Sequence, residues 1–163
     1  MTNRATWSVL IGLAGLIIAA YLTATHYLAG QVPLACATGG IVNCEQVTSS
    51  AQSTIGPVPV AVLGLVWFGV WLGLVAAGRV LSERFLVAAR LAWGTAGLLS
   101  VFYLVYAELF LIGAICSWCT VIHVAIIGLF LLAVAEATES PESRRASAHA
   151  VRRQGRSAAA RRG

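Results

Sequence analysis

The chain has 163 residues, of which 59% are apolar and 10% charged, which excludes an ordinary soluble domain, where about a quarter of the residues are charged. The same apolarity excludes disordered and collagen-like chains, and the length favours one domain. The formal net charge of +5 comes from eleven basic residues, all of them arginine, and its meaning depends on where they lie.

Four long apolar stretches predict four transmembrane helices. They occupy residues 7–28, 59–78, 91–113 and 114–135, and Glu108 is the one charged residue among them. Each can cross a hydrocarbon core of about 30 Å as a helix, and the stretches lack the alternation of barrel strands. The sequence therefore predicts an all-α integral membrane protein with a four-transmembrane-helix bundle. The alternative for the first stretch is a signal peptide, but its apolar run exceeds the ~7 to 15 residues usual there.

The positions of the arginines predict the orientation of the helices. One arginine precedes the first span, three lie between the second and third, and seven follow the fourth, whereas residues 29–58 and the turn at Gly113 have none. Because short loops rich in arginine stay cytoplasmic, we expect both termini inside and residues 29–58 outside. We expect residues 1–136 to form the membrane domain. Residues 137–163 are expected to be a disordered Arg/Ala-rich cytoplasmic tail that meets anionic lipid, with no nucleic acid needed to explain its charge.

All four cysteines fall at the outer face in this topology. Cys36 and Cys44 lie in the outer loop, and Cys116 and Cys119 form a C-x-x-C motif at the start of the fourth span. Outside a bacterial cytoplasmic membrane the compartment is oxidising, so cysteine pairs form disulfides. A C-x-x-C at a helix N-terminus also has a stabilised thiolate. These features predict a redox-active pair.

Two other interpretations of the cysteines remain open. Four cysteines could bind zinc, but structural zinc sites usually draw on two closely spaced pairs, and the loop pair is Cys-x7-Cys. Two purely structural disulfides are the other alternative. A strained, reducible C-x-x-C disulfide would add little stability to a loop that is already attached to a membrane bundle.

Two ionisable residues accompany the C-x-x-C motif. Helical spacing places Cys116, Cys119, Thr120 and His123 on one face, so His123 is either part of a polar pocket or a buried, hydrogen-bonded histidine. Glu108 lies near the outer end of the third span, where an ionisable group is a functional candidate by default. The alternative for Glu108 is a hydrated position at the membrane interface.

The order of these features resembles the vitamin K epoxide reductase family in its bacterial form. The matching features are a loop with a Cys-x7-Cys pair, Ser50 six residues after its second cysteine, a span that opens at Val58, and the C-x-x-C motif at the last span. The resemblance covers about residues 7–136. It implies a four-helix fold whose outward loop contains a short half-helix.

The resemblance implies a membrane thiol-disulfide oxidoreductase that promotes disulfide formation in exported proteins. In this family pattern Cys36 and Cys44 accept electrons from a thioredoxin-like (DsbA-like) partner on the outer side. Cys44 then passes them to Cys116, and Cys119 delivers them to a quinone of the menaquinone or ubiquinone type. Nothing after Glu136 has the character of a fused thioredoxin domain, so the partner is expected from another chain.

The resemblance also implies where the quinone contacts lie. The hydroxyl of Ser50 is expected to support the quinone site, although Ser49 and Ser50 could instead cap the half-helix. Many relatives have an asparagine where this chain has Val60 or Ala61, and some have a tyrosine where it has His123. The candidate quinone-site residues are Ser50, Glu108, Cys119 and His123. Two alternative functions remain: a reductase of vitamin K epoxide itself, and a non-catalytic membrane scaffold with structural disulfides.

Overall fold

A computed structural model describes residues 3–28, 31–36 and 39–138 of the chain and shows four long helices with a structured loop after the first. The helices are α1 (Asn3–Tyr27), α2 (Cys44–Thr48), α3 (Val60–Ala76), α4 (Glu83–Tyr106) and α5 (Ser117–Thr138), with a π-helix at Ala107–Ile112 that continues α4. Short 3-10 helices lie at Ala51–Ser53 and Ala77–Arg79, and β1 (Thr54–Ile55) pairs antiparallel with β2 (Val58–Pro59). The half-helix expected in the loop is therefore α2.

The long helices alternate in direction. In α1 and α3, Gly12 lies against Leu72 while Gly64, at the other end of the pair, faces Ala19. This pairing of early with late residues is that of antiparallel neighbours. Arg90, early in α4, pairs with Glu136, late in α5, so these two helices are antiparallel as well. The molecule is an up-down-up-down bundle with the loop and the C-x-x-C motif at one end.

Small residues and indole hydrogen bonds hold the helices together. Packing α1 on α3 requires glycine at position 15, because a Cβ there would overlap the ring of Phe68, which is fully buried. The Trp71 indole donates to the hydroxyl of Ser8 across this interface at 3.0 Å. Small residues that let backbones approach, joined by a few polar contacts, are the usual means of packing helices in a membrane.

The other interfaces use polar pairs as well. The indoles of Trp67 in α3 and Trp93 in α4 each donate to the other residue's carbonyl, at 3.2 and 3.1 Å. Arg90 in α4 forms a salt bridge of 2.7 Å with Glu136 in α5, at the end opposite the cysteines. These pairs satisfy indole N–H groups and charges that lipid could not.

The prediction of an all-α membrane bundle is confirmed. Three of the described helices, Asn3–Tyr27, Glu83–Ile112 and Ser117–Thr138, are long and apolar enough to cross a membrane. Large apolar side chains such as Ile17, Leu99 and Val124 are about two-thirds exposed on the outside of the bundle. Lipid-facing surfaces have this character, whereas a soluble domain of this size rarely exposes so much apolar surface.

The boundaries of the spans differ from the sequence prediction. Helix α3 has 17 residues, which is about 25 Å at 1.5 Å per residue, and the β1–β2 hairpin and a 3-10 helix extend it at its two ends. The third long helix, α4, begins at Glu83 rather than at residue 91, so its first two turns include charged residues. The fourth long helix, α5, begins at Ser117 rather than at residue 114, because Gly113 adopts φ +71° and ends the preceding helix. The predicted tail, residues 137–163, lies outside the described residues from position 139 onward.

Candidate functional site

The two loop cysteines are joined as a disulfide with a Cα–Cα distance of 6.1 Å. Cys44 is the first residue of α2. Asn43 caps the N-terminus of this helix, because the Asn43 side chain accepts the Gln46 N–H at 3.0 Å. Cys44 is fully buried, whereas Cys36 is only partly buried. An external thiol therefore has better access to Cys36.

Hydrogen bonds between the side chains of Tyr21 and Trp118 and the loop backbone anchor this loop to the bundle. The Tyr21 hydroxyl donates to the Pro33 carbonyl at 2.9 Å and accepts the Ala35 N–H at 2.8 Å. The Trp118 indole donates to the carbonyl of Ala35. Since Ala35 directly precedes Cys36, these contacts fix the position of the first loop cysteine.

A second anchor joins the loop to the strand-like segment before α5. Val42 forms a parallel bridge with Ile115. The Asn43 N–H donates to the Ile115 carbonyl at 3.0 Å, and the Ile115 N–H donates to the Ile41 carbonyl at 2.9 Å. These bonds place Cys44 and Cys116, which follow these segments, side by side.

Cys116 is the capping residue of α5. Its carbonyl accepts the Thr120 N–H at 2.9 Å, and its Sγ accepts the Cys119 N–H at 3.3 Å. The pKa of the Cys116 thiol is lowered, first by a hydrogen bond from the Cys119 thiol, with burial acting in the opposite direction. A cysteine at a helix N-terminus is the arrangement that favours a thiolate.

The two cysteine pairs meet in one buried cluster. Cys44 and Cys116, both fully buried, pack with Val47 and Ala114, and Cys36 and Cys119 lie against them. The hydroxyl of Ser117 lies 3.4 Å from Cys44 Sγ and 3.6 Å from Cys36 Sγ. The arrangement suits disulfide exchange between the pairs, which needs sulfurs that can approach one another.

Glu108 lies beside the C-x-x-C motif in the π-helix that ends the third span. It is 6% exposed, and its carboxyl interacts with the backbone N–H of Cys116 and with the Cys119 thiol. Its carbonyl accepts the N–H groups of Gly113 and Ala114, which closes the turn. The wider π turn thus brings a buried carboxyl next to the Cys119 sulfur, and π-bulges often occur at functional sites.

A cavity of about 1300 Å³ extends from the loop disulfide into the bundle. Cys119, Glu108 and His123 line it together with Trp67 and Ile126 from deeper in the bundle. His123 is 5% exposed, and the cavity is large enough for a ligand of drug size, for which about 300 to 1,000 Å³ is usual. The cavity surface is mainly apolar, with polar side chains concentrated at the loop end, and a cavity of this kind beside a thiol suits a lipid-soluble electron acceptor.

Ser50 lies at the loop side of this cavity. Its hydroxyl donates to the Val47 carbonyl at 2.7 Å, and the Ser49 hydroxyl donates to the Glu45 carbonyl at 2.7 Å. Both serines therefore close the C-terminal end of α2, and the Ser50 oxygen keeps lone pairs that could accept a further hydrogen bond. Val60 and Ala61, at the start of α3, also line the cavity.

The structure corrects one detail of the expected helical face. Thr120 is exposed, and its hydroxyl donates to the Cys116 carbonyl at 3.0 Å, so it points away from the cavity. Cys116 precedes the helix rather than lying within it. The expected polar face is therefore reduced to Cys119 and His123.

Sequence reasoning missed three residues at the site: Tyr21, Ser117 and Trp118. Ser117 and Trp118 are the two middle residues of the C-x-x-C motif, and this position was the available clue. Tyr21 contacts the ring of Trp118, with centroids 5.5 Å apart, although almost a hundred residues separate them in the chain, and nothing in the sequence indicated this contact. Within the described residues, no group of three or more His, Cys, Asp and Glu side chains could hold a metal ion.

Comparison with known protein families gives a match over most of the chain. The model of the family described as "Vitamin K epoxide reductase family" matches residues 6–134, which include all four cysteines and all but the outermost residues of the four long helices. Among curated proteins no match was found.

Proposed function

The chain belongs to the vitamin K epoxide reductase family, whose members are membrane oxidoreductases of thiols, disulfides and quinones, and from this we propose that it carries electrons from a thioredoxin-like protein to a quinone. The observation that most supports this proposal is the shared cluster of the two cysteine pairs at the mouth of the cavity. It offers a partly exposed sulfur, that of Cys36, for a protein donor and a cavity-lining sulfur, that of Cys119, for a lipid-soluble acceptor.

In the proposed path the electrons enter at the loop. A thiolate of the partner attacks Cys36, which is the more accessible loop sulfur, and the loop disulfide is reduced as the partner is oxidised. Cys44 then attacks Cys116 in the Cys116–Cys119 disulfide. Each transfer proceeds through a mixed disulfide, so two electrons pass at each stage.

At the second stage the bundle residues act on the acceptor. Cys119, which lines the cavity, delivers the two electrons, and the Cys116–Cys119 disulfide forms again. Glu108 interacts with the Cys119 thiol and is placed to accept its proton. We assign Ser50 and His123 to hydrogen bonds with the carbonyl oxygens of a menaquinone- or ubiquinone-type acceptor, because both line the same cavity. To donate to a carbonyl oxygen, the Ser50 hydroxyl would turn away from the Val47 carbonyl that it contacts in the structure.

The proposal includes the location of the protein and its partner. The bundle crosses a bacterial cytoplasmic membrane with both termini inside and the cysteines outside, in agreement with the distribution of arginines. A DsbA-like protein on the outer side is the donor, and the net result is disulfide formation in exported proteins.

The first prediction concerns the complete reaction. Purified protein supplied with a reduced thioredoxin-like donor should reduce a quinone, followed by the absorbance change of the quinone. Replacing Cys119 with alanine should abolish this reaction, because the C-x-x-C pair then cannot be oxidised. Thr95→Val is the control, since Thr95 is exposed and its hydroxyl donates to the Leu91 carbonyl, away from the cavity. Quinone reduction at an unchanged rate in Cys119→Ala would refute the path.

Disulfide mapping separates this proposal from a structural scaffold. In a relay, mass spectrometry of unreduced Cys119→Ala protein should find Cys44 joined to Cys116 in part of the molecules. The Cys116 thiolate attacks Cys44 in the loop disulfide, Cys36 leaves as a thiolate that takes up a proton, and no Cys119 remains to resolve the mixed disulfide. A scaffold would show only the Cys36–Cys44 disulfide, and this result would leave the cysteines with a structural role alone.

A further inference from the structure

The Ser117 hydroxyl is the group that reaches both sulfurs of the loop disulfide. Its oxygen lies 3.4 Å from Cys44 Sγ and 3.6 Å from Cys36 Sγ. Neither sulfur carries a proton while the disulfide is intact, so the hydroxyl is the only possible donor, and its single proton goes to one of the two sulfurs or is shared between them. These distances are within the range of hydrogen bonds to sulfur, which is a weak acceptor when neutral.

The position of Ser117 in α5 fixes this hydroxyl between the two cysteine pairs. Ser117 is the first residue of the helix and follows Cys116 directly. The bridge between Val42 and Ile115 and the bond from Trp118 to the loop hold the two segments together on either side of it. The two sulfurs of the loop disulfide therefore lie against one hydroxyl, which belongs to the residue that follows Cys116.

We propose that Ser117 is a catalytic residue for exchange between the two pairs, and that its hydroxyl donates to whichever loop sulfur carries negative charge. This inference rests on the electron path proposed above. It assigns to the second residue of the C-x-x-C motif a direct contact with the reacting atoms.

The exchange moves the charge between the two sulfurs that Ser117 contacts. First the Cys44 thiolate attacks Cys116 Sγ, so the Cys44–Cys116 bond forms, the Cys116–Cys119 bond breaks, and Cys119 leaves as a thiolate that takes up a proton. The Cys36 thiol then loses its proton and attacks Cys44 Sγ, so the loop disulfide forms and Cys116 leaves. Two electrons have passed from the loop pair to the helix pair, and the reactive thiolate has been Cys44 and then Cys36.

A donor is needed here because the site is buried. Burial away from water disfavours a thiolate, and Cys44 is fully buried. A hydrogen bond to a charged acceptor is roughly twice as strong as one to a neutral acceptor. The contact is therefore strengthened when the loop sulfur becomes a thiolate, which is the form that attacks.

The test measures transfer between the pairs without a quinone. Fully oxidised protein is mixed with one equivalent of reduced thioredoxin, which as a folded protein can reach Cys36 but not the buried Cys116. The reaction is stopped with acid, the thiols are tagged with maleimide, and mass spectrometry counts loop thiols and C-x-x-C thiols separately over time. We expect Ser117→Ala to slow the appearance of C-x-x-C thiols about tenfold at pH 6.

Two further variants and the pH profile distinguish catalysis from structure. Ser117→Thr keeps a hydroxyl and should restore most of the rate, and Thr95→Val should match the unmodified protein. The deficit of Ser117→Ala should shrink toward pH 9, because the loop thiols then ionise without the donor. A rate equal to that of the unmodified protein, a deficit independent of pH, or equal losses in Ser117→Ala and Ser117→Thr would each overturn the proposal.

Failure of the larger proposal has a different outcome. If the unmodified protein passes electrons between the pairs in a Ser117-dependent way but does not reduce a quinone, the acceptor is wrong and the role of Ser117 stands. If no C-x-x-C thiols appear in the unmodified protein after the loop has been reduced, both the path and the role of Ser117 are refuted.

Discussion

Glu108 shows how a single side chain can link sulfur chemistry to the cavity. Oxidation of the C-x-x-C dithiol releases two protons, and reduction of a quinone consumes two. A carboxyl that contacts the Cys119 thiol and also lines the cavity is suited to move one of them. Its burial, at 6% exposure, excludes the sequence-based alternative of a hydrated residue at the interface.

The second prediction follows from this position. Glu108→Gln keeps the size of the side chain but removes the proton acceptor, so transfer from pre-reduced protein to a quinone should slow by about a hundredfold, within the usual range for general acid–base catalysis. Stopped-flow absorbance of the quinone measures this step. Reduction of the loop by thioredoxin should continue at the normal rate in the same variant. Equal loss in both steps would instead indicate disturbed folding, and no loss in either would show that Glu108 carries no proton.

At the scale of the helices, the interface of α1 and α3 depends on close approach at Gly15. A Cβ at this position would overlap the ring of Phe68, which is fully buried. Gly69, one residue further along α3, has no heavy atom within 4 Å of the place where its Cβ would be. The two glycines therefore differ in packing while sharing a helical backbone.

The third prediction uses this matched pair. Gly15→Ala should destabilise the bundle by about 1 to 3 kcal/mol, the usual cost of overpacking, despite a gain in helix propensity of about 1 kcal/mol. Gly69→Ala has the same gain in helix propensity without the clash, so this substitution should leave the stability of the bundle unchanged or raise it slightly. Thermal unfolding of the two purified variants in the same detergent compares them. A melting temperature for Gly15→Ala at or above that of Gly69→Ala would show that the helices do not meet as described.

At the scale of the whole molecule, the arrangement of the four long helices was predictable, and their ends were less so. Apolar length and the arginine distribution locate the spans, because the lipid core sets the number of residues needed. The start of α4 at Glu83 was missed because charged residues can extend a helix beyond the membrane without changing its apolar core. The start of α5 was missed because the left-handed turn at Gly113 is followed by a segment that pairs with the loop.

The candidate site was predictable only in part. Cysteine spacing and family resemblance identified the four sulfurs, and the span containing Glu108 identified an unusual carboxyl. The contacts of Ser117, Tyr21 and Trp118 depend on how the loop folds back onto α5. Such pairings between distant segments leave no periodic pattern in a single sequence.

The fourth prediction tests the orientation of the bundle. In a background with all four native cysteines changed to serine, a cysteine is introduced at Ile41, which is 61% exposed at the loop end, or at Val80, which is 85% exposed at the opposite end. A membrane-impermeant maleimide should label Ile41→Cys on intact spheroplasts, and Val80→Cys only after lysis. The reverse pattern would place the cysteine end in the cytoplasm and refute the proposed donor.

The cavity has a consequence for how the protein is handled. Because one continuous space touches α1, α3, α4, α5 and the loop, any molecule bound in it becomes part of the packing of the bundle. Occupancy then raises the apparent stability by mass action, and detergent or lipid tails compete for the same volume. Resistance to heating can therefore serve as a binding assay for acceptors and inhibitors, independent of electron transfer.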